Sequence, residues 1–151
     1  GSAYKCVEAW RFAHVIEWLS QAGTMPMLLE GPADRESVAQ VLSALTIPVP
    51  VIRRLNLSMT AAVLAQAALY LGHDSGITHL AAALAIPTIA CFGPTNPSRW
   101  APLGPTVLVL SGMRCACSGW PAVESCRERV CLQIAPQRMI EACRAQLRRS
   151  R

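Results

Sequence analysis

The stretch from Leu69 to Phe92 constrains this chain more than any other. Leu69, Tyr70 and Leu71 make a short apolar run that ends in Gly72-His73-Asp74-Ser75-Gly76. Ile77 to Leu84 then reads as an alanine-rich helix, and Ile86-Pro87-Thr88-Ile89-Ala90-Cys91-Phe92 as a second strand. Strand, small polar turn, helix and strand in succession form a crossover unit, which pairs its strands in parallel. Ser75 stands where an N-cap belongs, Gly76 lets a ligand approach the backbone, and the first-turn amides with the helix dipole favour a phosphate. His79, four residues beyond Ser75, faces the same side one turn further in. Ser75, Gly76 and His79 are therefore candidate anion-binding residues, and Asp74 beside them is a candidate to orient Lys5 or a ligand hydroxyl. Asp-Ser-Gly also makes an ordinary turn and cap, and the three residues alone do not separate the two readings.

The same alternation runs along the rest of the chain. Lys5 to Gln21 reads as a helix with Ala9, Phe12, Ile16 and Leu19 on one face, closed by Gly23. Met25 to Glu30 follows as a strand, and Asp34 can cap a helix carrying Val38, Val41, Leu42 and Leu45 at helical spacing. A strand at Val49 to Ile52, a helix from Met59 to Ala67 capped by Ser58, and a last strand at Thr106 to Leu110 complete the pattern. Such alternation predicts an α/β domain with a parallel sheet and helices on both faces, its ligands beyond the carboxyl ends of the strands. Four loops then meet in one cleft: Gly31 to Arg35, Arg53 to Leu57, Gly72 to Gly76 and Gly93 to Arg99.

At 151 residues the chain is read as one domain. Only 15% of its residues are charged and 52% are hydrophobic, which predicts an apolar face covered by something else. No signal peptide or membrane span is visible, because charges run through the first twenty residues and Gln66, His73 and Pro87 interrupt the apolar runs; the reading is a soluble, cytoplasmic domain. The net charge of +5 concentrates in Arg138, Arg144, Arg148, Arg149 and Arg151. A solvated helix face accounts for them, and attraction to an anionic membrane surface is the alternative. Aromatic residues at 5%, with no basic stripe between them, argue against nucleic acid as a partner.

Asp-Ser-Gly-x-x-His-Leu-Ala-Ala-Ala-Leu, the Ile-Pro-Thr strand and Phe-Gly-Pro-Thr-Asn-Pro-Ser-Arg-Trp-Ala-Pro together resemble the donor-binding half of glycosyltransferase family 9, the heptosyltransferases of lipopolysaccharide core assembly. The resemblance runs from about Lys5 to Pro136 and is densest from Gly72 to Pro102. It implies a Rossmann-like domain, the C-terminal half of a two-domain GT-B enzyme whose N-terminal acceptor domain precedes this sequence. The implied activity is inverting transfer of heptose from ADP-heptose to a lipid-linked core saccharide, with no divalent metal or other cofactor required at the donor. The catalytic base is expected in the N-terminal domain, so this chain alone is expected to bind donor without turnover. Contact with the inner face of the cytoplasmic membrane fits that acceptor.

Carried over residue by residue, the resemblance places Ser2 and Lys5 of Gly1-Ser2-Ala3-Tyr4-Lys5 on the donor phosphates, with Trp10 on the helix behind them. The competing reading makes Gly1-Ser2 a remnant of tag cleavage and Lys5 a solvated side chain. An acid near the ribose is implied at the second loop, where Glu36 is preferred to Glu30. Leu57 is a candidate to pack on the base, with core packing as its alternative. Thr95, Asn96, Arg99 and Trp100 lie in a proline-punctuated loop suited to positioning or to domain contact, Arg99 above all, with a structural cover over the sheet edge as the equal alternative.

Seven cysteines without a secretion signal argue against a disulfide framework. Cys115-x-Cys117 with Cys126 and Cys131 offers four thiolates for structural zinc, but the first pair is tighter than the usual knuckle spacing, and free thiols without metal are the expectation. Cys6, Cys91 and Cys143 read as small buried hydrophobes. Two other functions compete: a related GT-B transferase or epimerase using a UDP-sugar, and a zinc-stapled interaction domain whose Asp-Ser-Gly turn is only structural. A variant of the main reading makes His73, beside Asp74, the catalytic base of a complete enzyme.

Overall fold

Strand and helix alternate as the pattern predicts. The computed structural model describes residues 3–149, so Ser2 lies outside the described residues. A 3-10 turn at Ala3–Lys5 leads into α1 (Ala9–Gln21), β1 (Leu28–Glu30), α2 (Arg35–Ala44), β2 (Val51–Arg53) and α3 (Leu57–Leu64). Then come β3 (Tyr70–His73), α4 (Gly76–Ala83), β4 (Thr88–Phe92), α5 (Pro97–Trp100), β5 (Val107–Ser111), α6 (Trp120–Ser125), a 3-10 turn at Val130–Leu132 and α7 (Pro136–Arg149).

All strand pairing among the described residues is parallel, in two sheets: β1 beside β2, and β4 between β3 and β5. Among the described residues no ladder joins the two groups, where the alternation alone predicts one sheet. β1 and β2 are three residues long and only part-buried, which gives them few pairs with which to extend a sheet. β4 is buried along its whole length, as a central parallel strand with both faces covered must be. Ile89 and Cys91 point into a core with Phe12 and Val15 of α1 and Met139, Ile140 and Cys143 of α7. A second, smaller cluster joins Leu64 of α3 to Ala81 of α4 and Ile86. Fully burying a side chain such as Ile89 contributes about 1.5–3 kcal/mol, and the two clusters hold the strand ends in place.

Two helix starts and one cap differ from expectation, each for a local reason. α1 begins at Ala9 rather than Lys5, because the Val7 amide donates to His73 Nε2 at 2.9 Å and is drawn out of the helix. Asn56, not Ser58, caps α3, its Oδ1 accepting from the Met59 amide at 2.8 Å, and the helix ends at Leu64, short of Ala67. Asp34 precedes α2, but its carboxylate reaches back to the Gly31 amide at 3.1 Å instead of capping. α1 closes at Gly23 with φ +80°, as the sequence predicts. The short helix α6 lies in the cysteine-rich segment, where hydrophobic periodicity shows nothing.

Candidate functional site

The carboxyl ends of β3 and β4 bring together residues far apart in the chain. Ser75 caps α4 in an extended conformation at φ −152°, its side chain accepting from the Thr78 amide at 3.4 Å. Thr78, fully buried, turns its hydroxyl onto the His73 carbonyl and so fastens the first turn of α4 to the end of β3. The Gly76 and Ile77 amides have no acceptor among the described residues, and no acid occupies the first turn. A Cβ added at Gly76 would meet nothing within 4 Å, so the approach to these amides is open. This is the donor arrangement that binds an anion.

Asp74 stands beside that helix start. Its Oδ2 accepts from Lys5 Nζ at 2.7 Å and from the Thr95 hydroxyl at 2.7 Å, while its amide donates to the Cys91 carbonyl at 3.2 Å. The Asp74 side chain is 9% exposed and that of Lys5 24%, so the ammonium is aimed by a fixed carboxylate yet reachable from solvent. One of its three hydrogens meets Asp74, leaving donors for a ligand. Lys5 belongs to the 3-10 turn ahead of α1, so it is not a cation in a helix first turn. His79 is exposed on the first turns of α4.

His73 is engaged differently. Its Nε2 accepts the Val7 amide, its ring lies 4.8 Å from that of Phe12, and burial pushes the imidazole down to about 4. The lone pair a general base would use is already committed, which rules against His73 as the base. The glycine before it is required by packing: a Cβ at Gly72 would collide with the Tyr70 ring. Tyr70, whose hydroxyl Thr78 meets at 3.5 Å, is itself pushed up by burial. Neither Tyr70 nor Thr78 stands out in sequence, since each fits its strand or helix pattern without demanding a polar partner.

A groove of about 660 Å³ opens at the ends of β1 and β2, lined by Glu30, Gly31, Arg35, Arg53, Arg54 and Leu55 among others. Glu30 and Arg53 are direct cross-strand partners and pair at 3.0 Å. Arg54 adopts φ +59°, a left-handed conformation that turns the chain out of β2 toward α3. Glu36 is exposed on the first turn of α2, away from this lining, whereas Glu30 is part of it. Leu57 is 68% exposed, which excludes core packing. In the β4 loop, Asn96 caps α5, and Arg99 and Trp100 are exposed. The sequence reading does not single out the groove's arginines; Arg35 shortly after β1, Arg53 at the end of β2 and Arg54 just after it are the available signal.

The cysteine-rich segment folds against the same region. The sulfurs of Cys115, Cys117 and Cys126 lie within 4.8 Å of one another, Cys115 and Cys117 at 2.6 Å. The hydrogen bond from Cys117 holds the Cys115 thiol below its ordinary range and pushes Cys117 up. Cys91 and Cys143 are fully buried, and burial pushes both thiols up to about 12, as inert core residues. Cys6 is half-buried, its thiol also raised by burial. Of the C-terminal arginines, Arg138 donates to the Ser111 carbonyl at 3.0 Å and Arg144 lies over the Trp18 ring. No helix among the described residues is long and apolar enough to cross a membrane.

Parallel strands with their polar cluster at the carboxyl ends define the class, an α/β domain whose site lies beyond the strand ends. Residues 2–126 match glycosyltransferase family 9 (heptosyltransferase), and the chain belongs to that family. Lipopolysaccharide heptosyltransferase 1 of Pseudomonas aeruginosa is 45% identical over 65 residues, which are 43% of this chain and 18% of that protein. The crystal structure of the glycosyl transferase family 9 protein from Veillonella parvula aligns with a TM-score of 0.86 at 27% identity, over 99% of this chain and 44% of the other. The E. coli ADP-heptose lipopolysaccharide heptosyltransferase II has the same fold, with a TM-score of 0.79 at 23% identity over 99% and 45%. The chain thus spans less than half the length of these relatives.

Proposed function

We propose that this chain is the donor-binding, C-terminal half of a two-domain heptosyltransferase and holds the diphosphate of ADP-heptose at the start of α4. The observation that carries this reading is the convergence of Lys5, held by Asp74 and Thr95, with the open Gly76 and Ile77 amides. In the transfer, an acceptor hydroxyl oxygen attacks the anomeric carbon, the bond from that carbon to the β-phosphate oxygen breaks, and ADP leaves with the electron pair. Negative charge grows on the diphosphate as the bond opens. Lys5, the two amides and His79 favour that charge more in the transition state than in the ground state, and no metal is needed for it. The β1–β2 groove takes the nucleoside, with Leu57 against the base and an acid of the second loop, Glu30 or Glu36, on the ribose.

An E. coli heptosyltransferase of the same fold, 23% identical, is described with ADP, which favours ADP over UDP as the leaving group here. Exposed Leu57, Trp100 and Met113 follow the carboxyl ends of β2, β4 and β5 and suit a face turned toward an N-terminal domain, although Met25 and Leu103 are exposed at the opposite end. The base that deprotonates the acceptor, a lipid-linked saccharide, belongs to that domain, and the enzyme works at the cytoplasmic side of the membrane. Titrating the chain with ADP, UDP and GDP by calorimetry tests the donor. Preference for ADP, and transfer only by a two-domain protein, is expected; equal affinity for the three nucleotides, or turnover by this chain alone, overturns the reading.

A further inference from the structure

We propose that Cys115, Cys117, Cys126 and Cys131 bind a structural zinc ion that staples the segment between β5 and α7 to the back of the donor site. The spacing of the first pair argues against zinc only if those two residues must form a knuckle by themselves. In the fold the ligands come from three places: an irregular stretch after β5, the end of α6, and the 3-10 turn before α7. Three sulfurs already lie within 4.8 Å of one another, and zinc–sulfur bonds of about 2.3 Å in a tetrahedron need sulfurs about 3.8 Å apart. Cys131 lines the same small cavity as the other three, and Cys115 packs against the core cluster that contains it.

Two further observations, independent of the thiols, support a staple. From Gly112 to Val130 only Val123 is buried, so the segment has almost no core of its own, which is the circumstance in which small folds use a metal. A zinc held by four thiolates carries two negative charges. Arg129 lines the cavity, in a left-handed conformation at φ +45° and stacked over the Tyr4 ring at 5.3 Å, where its guanidinium offsets that charge.

The centre has a functional address. Tyr4 and Pro94 line the same cavity, and each directly precedes a residue that bonds Asp74: Lys5 and Thr95. The metal therefore sets the wall behind the Lys5–Asp74–Thr95 cluster. That coupling rests on the donor-binding reading, while the metal assignment does not.

The test is elemental analysis of the full chain, expressed with zinc in the medium and purified with a reductant and without chelator. One zinc per chain is expected, lost in Cys115→Ser and in Cys126→Ser and kept in Cys6→Ser. Should the serine variants fail to fold, cobalt replacement in the unsubstituted protein reads the site instead, through thiolate-to-cobalt charge-transfer absorption. Substoichiometric zinc, iron in its place, or a Cys115–Cys117 disulfide by mass spectrometry overturns the assignment. Stoichiometric zinc without ADP binding would leave the metal site standing and remove the donor reading.

Discussion

Lys5 Nζ and Asp74 Oδ2, 69 residues apart in sequence, meet at 2.7 Å at the start of α4. Asp74 is nearly buried and also accepts from Thr95, so the carboxylate is the fixed partner and the lysine the aimed one. In a double-mutant cycle, Lys5→Met and Asp74→Asn should couple by about 1 kcal/mol in unfolding free energy, because the lysine is partly solvated. For ADP, Lys5→Met should weaken binding about ten- to a hundredfold. Asp74→Asn should also weaken it, by releasing the ammonium from its position. Tighter ADP binding by Asp74→Asn would show that Asp74 merely opposes the diphosphate charge.

His79 gives a ligand-specific outcome. Its side chain is exposed in the first turn of α4, and no described residue hydrogen-bonds it. His79→Ala should lose one charge-assisted hydrogen bond, about 1.5–3 kcal/mol, for ADP and nothing for adenosine. Calorimetry with both ligands checks this, and equal loss for the two would place His79 outside the diphosphate site.

The capped turn at the start of α4 is legible in sequence because its parts are local. A cap, a glycine and a following helix are adjacent residues, and their spacing alone places Ser75, Gly76 and His79. What was not legible depends on contacts across the fold. Val7 leaves α1 because His73 takes its amide, and nothing near Val7 in sequence announces that acceptor. Thr95 lay in a loop whose prolines were conspicuous, yet its bond to Asp74 exists only because β3 and β4 are paired in register. For the cysteines the sequence groups Cys115, Cys117 and Cys126 by proximity along the chain, and the fold brings their sulfurs within 4.8 Å of one another.

His73 makes stability depend on pH. Burial lowers its folded pKa to about 4 from an ordinary 6.5, so between these values the unfolded chain binds a proton that the folded chain does not. Stability from this residue is fully present above pH 6.5, falls as pH drops through the window, and is lost below about 4; its full extent is on the order of 3 kcal/mol. Chemical denaturation from pH 7 to pH 4 should show a shallower decline for His73→Gln, which keeps an acceptor for the Val7 amide without titrating. Parallel declines for the two proteins would show that burial does not hold His73 neutral.

Gly76→Ala separates a ligand site from a structural turn. The added methyl meets no protein atom within 4 Å, the backbone there is not left-handed, and alanine is the better helix former by about 0.8–1.0 kcal/mol in a helix interior. If the turn served only the fold, the substitution would be neutral or stabilising and nothing else would change. If a diphosphate rests on the Gly76 and Ile77 amides, the methyl stands in its path. The expected outcome is a melting temperature equal to or above that of the unsubstituted chain together with ADP affinity reduced at least about tenfold, a loss of about 1.4 kcal/mol. Unchanged ADP affinity in a fully folded Gly76→Ala protein would move the diphosphate away from α4.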